Sequence, residues 1–182
     1  MMVKELSHFD ANGQAKMVDV GSKKVTGRIA IARSTIRISA ELVKILTAGT
    51  LAKGDAFTVA KTAGILAAKQ TGTLIPMCHP LPVDYIDIQM AMLPEKGEVR
   101  VQAEVHTTAK TGVEMEAMVA ASIAALTFYD MCKAVDKGIR ITETGLYKKT
   151  GGKSGVYLNP EMEWDTIAVS TLLHQQGNLV DK

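Results

Sequence analysis

Apolar and polar positions along this chain fall into blocks whose period changes from one element to the next. From Tyr85 to Leu93, Ile86, Ile88, Met90 and Met92 alternate with Asp87 and Gln89. From Val99 to Thr108, Val99, Val101, Ala103 and Val105 alternate with Arg100, Gln102, Glu104 and His106. A period of two puts the two sets on opposite faces of a strand, and the intervening Pro94-Glu95-Lys96-Gly97 is turn chemistry. The pair predicts an antiparallel hairpin with one wet face. Arg28 to Ile38 is rich in Ile and Thr and predicts another strand. Its isoleucines change parity between Ile31 and Ile36, which predicts a bulge or burial on both faces. Ile139 to Tyr147 predicts a last strand.

Three stretches follow a helical pattern instead. Ser39 is placed to cap a short helix that stops at Gly49, and Asp55 to cap an Ala-rich helix ending near Gly72, with Lys53-Gly54-Asp55 as the link between them. Lys110 to Lys133 predicts one long helix. Thr111 and Glu114 have the S/T-x-x-E spacing of a capping box, in which each side chain satisfies an N–H of the first turn. The body after it is mostly Ala, Met, Val, Ile and Leu, as a buried helix requires. The order is strand, helices, strand, strand, helix, strand. That is an α+β chain with the split βαβ order of ferredoxin-like folds, an antiparallel sheet carrying its helices on one face. A single domain over residues 1–157 is expected, opening with a polar segment over residues 1–27. A C-terminal tail, residues 158–182, contains a short helix around Trp164 to Gln175 and no readable motif. No internal repeat is evident.

Composition narrows the class. The chain has 182 residues, enough for one domain, and 47% hydrophobic content but only 4% aromatics, so its core must be built from Ala, Val, Ile, Leu and Met. The net charge of +2 lacks the basic footprint of a general nucleic-acid binder. Lysines nevertheless group locally at Lys23 and Lys24, at Lys148 and Lys149, and at Lys153; such groups suit a small polyanion, although a solvated surface is the commoner reason for them. The two cysteines, Cys78 and Cys132, make no C-x-x-C, and no secretory signal or membrane-spanning apolar run is visible. A reducing cytoplasmic setting with both thiols free is expected. The polar segment from Ser7 to Lys24 is either disordered or ordered only by another subunit.

Candidate chemistry concentrates at four places. At about 100° per residue, Glu116 and Asp130 fall within about 40° of each other on the long helix, with Lys133 about 60° further round. Acids and a base along one edge of an apolar helix are a site signature, although Asp130 and Lys133 also have the spacing of an ordinary i,i+3 ion pair. In TLIPMCHPLPV, Thr73 to Val83, Pro76, Pro80 and Pro82 force an extended, rigid loop that presents His79 beside Cys78. That histidine is either a donor to substrate or structural. No partner Cys or His stands at metal-ligand spacing. Gly151-Gly152-Lys153-Ser154-Gly155 is not a P-loop, because Tyr147 stands where the motif needs Gly; with Lys148 and Lys149 it forms a donor-rich loop able to hold phosphates. A base-stacking RNA module would need aromatics on its central strands. Val99 to Thr108 has none, and the other hairpin strand has only Tyr85.

Several of these strings together resemble the MoaC family of molybdenum cofactor biosynthesis: MVDV (Met17 to Val20), KGD (Lys53 to Asp55), LIPMCHPL (Leu74 to Leu81), KTGVEMEA (Lys110 to Ala117), AALTFYDMCKAV (Ala124 to Val135) and GGKSG (Gly151 to Gly155). The resemblance runs in unbroken order from about Leu6 to Gly155. It implies a cytoplasmic lyase that takes the cyclised GTP made by the radical enzyme MoaA, 3′,8-cyclo-7,8-dihydroguanosine 5′-triphosphate, and yields cyclic pyranopterin monophosphate and pyrophosphate. It also implies a homohexamer, a trimer of dimers, with the site between subunits. Carried over by position, Asp130 matches a catalytic aspartate, and Lys53 and Lys133 match acid–base lysines whose pKa burial and neighbours should bring down. Met77, Cys78 and His79, with Met115 and Glu116, match substrate contacts. Lys23, Arg28, Lys149 and Lys153 match basic positions near the triphosphate. No cofactor is implied. Magnesium carried by the triphosphate is compatible with this chemistry, but no carboxylate cluster demands it. The alternative on the same fold is a non-catalytic nucleotide-binding module.

Overall fold

The computed structural model describes residues 13–153 and 155–164. Its sheet is built around β1 (Thr26–Arg37), which pairs antiparallel with β3 (Glu98–Ala109) on one side and β4 (Arg140–Thr150) on the other. The hairpin partner β2 (Tyr85–Leu93) flanks β3, and the short β5 (Tyr157–Leu158) closes the far edge, giving the order β2-β3-β1-β4-β5. Four of these strands have the ferredoxin-like neighbours expected from the element order; β5 is an addition. The hairpin turn is a 3-10 turn, Pro94–Lys96, closed by Gly97 at φ +59°.

β1 is buried on both faces, and its register with β3 is regular. Of the two readings of its parity change, burial on both faces is the one β1 shows, and the bulges lie in its partner β4. Ile31 faces Lys148 while Ala32 faces Leu146, and Thr35 faces Glu143 while Ile36 faces Ile141. β4 therefore carries the extra residue at each bulge, Tyr147 and Thr142. β4 also runs past the expected Tyr147, so Lys148 and Lys149 are strand residues opposite Ile31 and Ala30 rather than part of the following loop.

Local capping works as the sequence predicts at two helices. The Ser39 hydroxyl accepts from Leu42 N at the start of α1 (Ala40–Ala48), and Gly49 ends that helix at φ +66°, a conformation that favours glycine. Asp55 Oδ1 accepts from Phe57 N and Thr58 N at the start of α2 (Ala56–Lys69). A short turn of helix, α3 (Thr71–Leu74), replaces the expected end near Gly72.

The long helix α4 (Glu114–Cys132) crosses the sheet with α2 beside it. Ala117, Ala120, Ala121, Ala124 and Ala125 are wholly buried, so the core is alanine-lined, as the scarcity of aromatics requires. Its largest buried side chain, Phe128, meets Phe57 with ring centroids 5.4 Å apart. Among the described residues α4 alone is long and apolar enough to cross a membrane, yet here it packs as a core helix.

On the other face of the sheet, the side expected to be wet is partly covered. Met162 and Trp164 are buried there, Trp164 against Ala91 and Leu93. The Arg33 guanidinium lies 3.4 Å from the Tyr147 ring centroid and 4.4 Å from that of Trp164, and donates to Met162 O at 2.8 Å. The expected division after residue 157 falls inside β5. The helix expected around Trp164 to Gln175 lies, beyond Trp164, outside the described residues.

Candidate active site

A cavity of about 310 Å³ opens where α4 begins. The rigid proline loop supplies Met77, Cys78, His79 and Leu81 to one wall, and the turn before α4 supplies Thr111 and Gly112. The first turn of α4 contributes Glu114, Met115 and Glu116, and Val18, Val20 and Lys23 close the remaining side. Residues 17–23 therefore lie against their own chain, where the sequence left them either disordered or dependent on another subunit; residues 1–12 are outside the described set.

Glu116 is only 3% exposed. Burial holds its pKa above the ordinary carboxylate value, with the Glu114 charge adding to the rise and its own backbone N–H opposing it. Cys78 is pushed up by burial and then by the charges of Glu116 and Glu114, so its thiol stays protonated and serves as a weak hydrogen-bonding group. Both thiols are free as expected, and burial raises that of Cys132 to about 11.

The capping box is not formed. α4 starts at Glu114 with Val113 as its N-cap and no side-chain cap bond. The Glu114 carboxylate instead accepts from Lys149 Nζ at 2.7 Å, tying the first turn of α4 to the end of β4. Arg28 spends two of its donors on backbone: Nε reaches Ala109 O at 3.3 Å and Nη2 reaches Lys110 O at 3.2 Å. Gly152 lies so close that a Cβ there would stand 2.2 Å from Arg28 Nη1. Lys153 is exposed on the loop just beyond.

A second cluster stands at the other end of α4. Lys53 Nζ donates to Asp130 O at 2.8 Å and to Asp130 Oδ2 at 3.3 Å, while Lys133 Nζ meets Asp130 Oδ1 at 2.5 Å. All three side chains are exposed. The Lys133 hydrogen bond, then the Lys53 hydrogen bond, holds the Asp130 carboxyl below its ordinary value, and Asp130 raises Lys133 in return. The expectation of a lowered Lys133 pKa is thus reversed within this chain, because an exposed ammonium loses little solvation and gains an anion. The helical-wheel coincidence of Glu116 and Asp130 is real in angle but not in space. Fourteen residues at 1.5 Å each separate them by about 21 Å along the helix.

One chain therefore gathers Lys23, Met77, Cys78, His79, Met115 and Glu116 around the cavity. Lys149 and Arg28 stand at its margin, and Lys53, Asp130 and Lys133 are remote. Sequence reasoning assigned Glu114 to a cap, and it gave no role to Lys110, whose Nζ donates to Gly21 O at 2.7 Å. Lys110 lies within the string KTGVEMEA, so the signal was present without the geometry to interpret it.

The MoaC family model matches residues 17–152, a span containing both clusters and the whole cavity. The chain belongs to the MoaC family. The chain is 48% identical over 157 residues to the cyclic pyranopterin monophosphate synthase of Desulfitobacterium hafniense, covering 86% of this chain and 96% of that protein. It is 54% identical over 153 residues to the protein of the same name from Listeria monocytogenes serotype 4a, covering 84% and 95%. With the Dinoroseobacter shibae protein of that name it shares 50% identity over 150 residues, covering 82% and 95%.

Proposed function

We propose that this chain is a cyclic pyranopterin monophosphate synthase, a lyase of molybdenum cofactor biosynthesis acting on 3′,8-cyclo-7,8-dihydroguanosine 5′-triphosphate. The observation that carries the reading is that the region matched to the family includes a cavity lined by a buried acid, a protonated thiol, an imidazole and a lysine. Met77, Cys78, His79, Met115 and Glu116 would hold the base and sugar. Lys23, Lys149 and Lys153, with Arg28, would face the triphosphate. Closing the cyclic monophosphate breaks the bond to the β-phosphate, and fixed cations stabilise the departing pyrophosphate. Among the described residues no group of three or more His, Cys, Asp and Glu side chains is arranged to hold a metal, so a magnesium ion would come with the substrate.

The distance between the clusters supports a site shared between two chains. Lys53, Asp130 and Lys133 would reach a substrate only from a second copy of the chain, whose cavity they would complete. Covering by that copy would desolvate Lys133 and offset the hold of Asp130, freeing it for proton transfer. The outer surface of the helical layer exposes Val59, Leu66 and Leu126, as a face to be covered by another subunit does. A homohexamer in the cytoplasm, fed by the radical enzyme that makes the cyclised triphosphate, fits this arrangement.

The test is direct assay with the cyclised substrate, followed by mixing. Wild type should release pyrophosphate, whereas tight triphosphate binding without turnover would leave a nucleotide-binding module. A His79→Ala chain and a Lys133→Ala chain, each inactive alone, should regain activity when unfolded and refolded together. Failure of mixed assemblies to recover any activity would place all the groups in one chain and overturn the two-chain site.

A further inference from the structure

The segment closing one side of the cavity has little of its own to hold it. Val18, Val20 and Lys23 line the cavity from residues 17–23, a stretch without helix or strand. Two of its hydrogen bonds are internal: Gly21 N donates to Asp19 Oδ1 at 2.7 Å, and Lys23 N donates to Val20 O at 3.1 Å. These fold the segment into a turn without joining it to the body. Among the described residues, a bond that joins it to the body runs from Lys110 Nζ to Gly21 O, at the apex of that turn.

Lys110 is itself anchored. Its carbonyl accepts from Arg28 Nη2, and the preceding carbonyl, that of Ala109, accepts from Arg28 Nε. Arg28 sits near the start of β1, and the backbone of Gly152 packs against its guanidinium. Gly151 and Gly152 take φ +92° and +72°, and neither has room for a Cβ. The guanidinium thus fixes the Lys110 backbone, and the Lys110 ammonium fixes the turn bearing Lys23. A charged donor on a backbone carbonyl makes a stronger bond than a neutral pair, and it spans 89 residues of sequence.

We propose that Lys110 is a positioning residue for the synthase reaction, clasping residues 17–23 over the cavity so that Lys23 and the two valines form its wall. This rests on the function proposed above and adds the device by which the open side of that site is held. Lys110 acts through the turn rather than on the reacting atoms. Its loss should therefore weaken substrate capture and leave the chemical step intact once substrate is bound.

Two readouts separate this role from others. Hydrogen exchange on the free protein, without any substrate, should show the amides of Gly21 and Lys23 exchanging about tenfold faster in Lys110→Met, with amides of α4 unchanged. With the cyclised triphosphate, Lys110→Met should raise KM about tenfold with kcat within about threefold, and Lys110→Arg, which can still reach a carbonyl, should recover most of the loss. Unchanged exchange at Gly21 and Lys23 would overturn the clasp whatever the kinetics. A raised KM without faster exchange would make Lys110 a direct phosphate ligand, and a large loss of kcat would make it catalytic; either refutes the positioning role. If wild type itself fails to turn over the substrate, the proposed function falls, while the exchange result still judges the clasp.

Discussion

Glu114 and Lys149 face each other at 2.7 Å across the margin of the cavity, each about a quarter to a third exposed, and join the start of α4 to the end of β4. The carboxylate that local rules assign to a helix cap is engaged by a cation 35 residues away. Glu114→Gln keeps the shape and removes the charge. It should lower stability by about 0.5–1 kcal/mol, the upper part of the range for partly exposed pairs. Thermal melts at low and high salt check this. The gap between variant and parent should narrow as salt rises, and equal melting at low salt would mean the pair contributes nothing.

Asp130→Asn should separate catalysis from stability. Asp130, Lys53 and Lys133 are all exposed, so melting should move little. Turnover should fall by about 10²–10⁴-fold, the range of general acid–base contributions. A variant with slightly reduced melting temperature and full turnover would reduce the cluster to a surface ion-pair network.

Glu116 carries a pH signature. Its folded-state pKa lies above the ordinary 4.5 because burial disfavours the charged form. For a raised acid, the stabilising contribution is fully present below the unfolded value and is lost as pH rises through the folded one. Glu116→Gln should therefore melt higher than the parent near neutral pH, and the advantage should close below pH 4.5. Parallel melting curves across that range would show that the site tolerates the charge. The same variant should bind the triphosphate substrate more weakly, since the acid lines the cavity.

Gly64 sets two effects of opposite sign against each other. Alanine is favoured over glycine inside a helix by about 1 kcal/mol. At Gly64, however, a Cβ would lie 2.4 Å from Ile88 Cδ1, 2.8 Å from Ala120 O and 3.1 Å from Ala124 Cβ. The backbone oxygen of α4 cannot step aside as a side-chain tip can, and overpacking costs about 1–3 kcal/mol. Packing should win, leaving Gly64→Ala net destabilised by up to about 2 kcal/mol. Urea unfolding checks the sign, and a more stable variant would mean that α2 and α4 separate freely.

What the sequence made legible was what local rules control. The Ser39 and Asp55 caps, the Gly49 stop and the alternating hairpin each depend on residues within a few positions of one another. What it hid was decided at long range. Lys149 claims Glu114, and the two bulges of the sheet fall in β4 rather than in β1. Arg33 is sandwiched between Tyr147 and Trp164, a contact spanning 129 residues to Met162 O that no periodicity could reveal. Around the site, the strings flagged in the sequence supply the walls of the cavity. Angular position on α4 said nothing of axial distance, and so Glu116 and Asp130 looked like neighbours.

That axial distance has an arithmetic consequence under the two-chain arrangement. Each α4 presents one end to one reaction centre and its other end to a different one. A chain damaged at both ends would therefore silence two centres rather than one. In randomly mixed assemblies of intact chains with a His79→Ala, Lys133→Ala double variant, activity should decline as the square of the intact fraction. Self-contained sites would give a straight line.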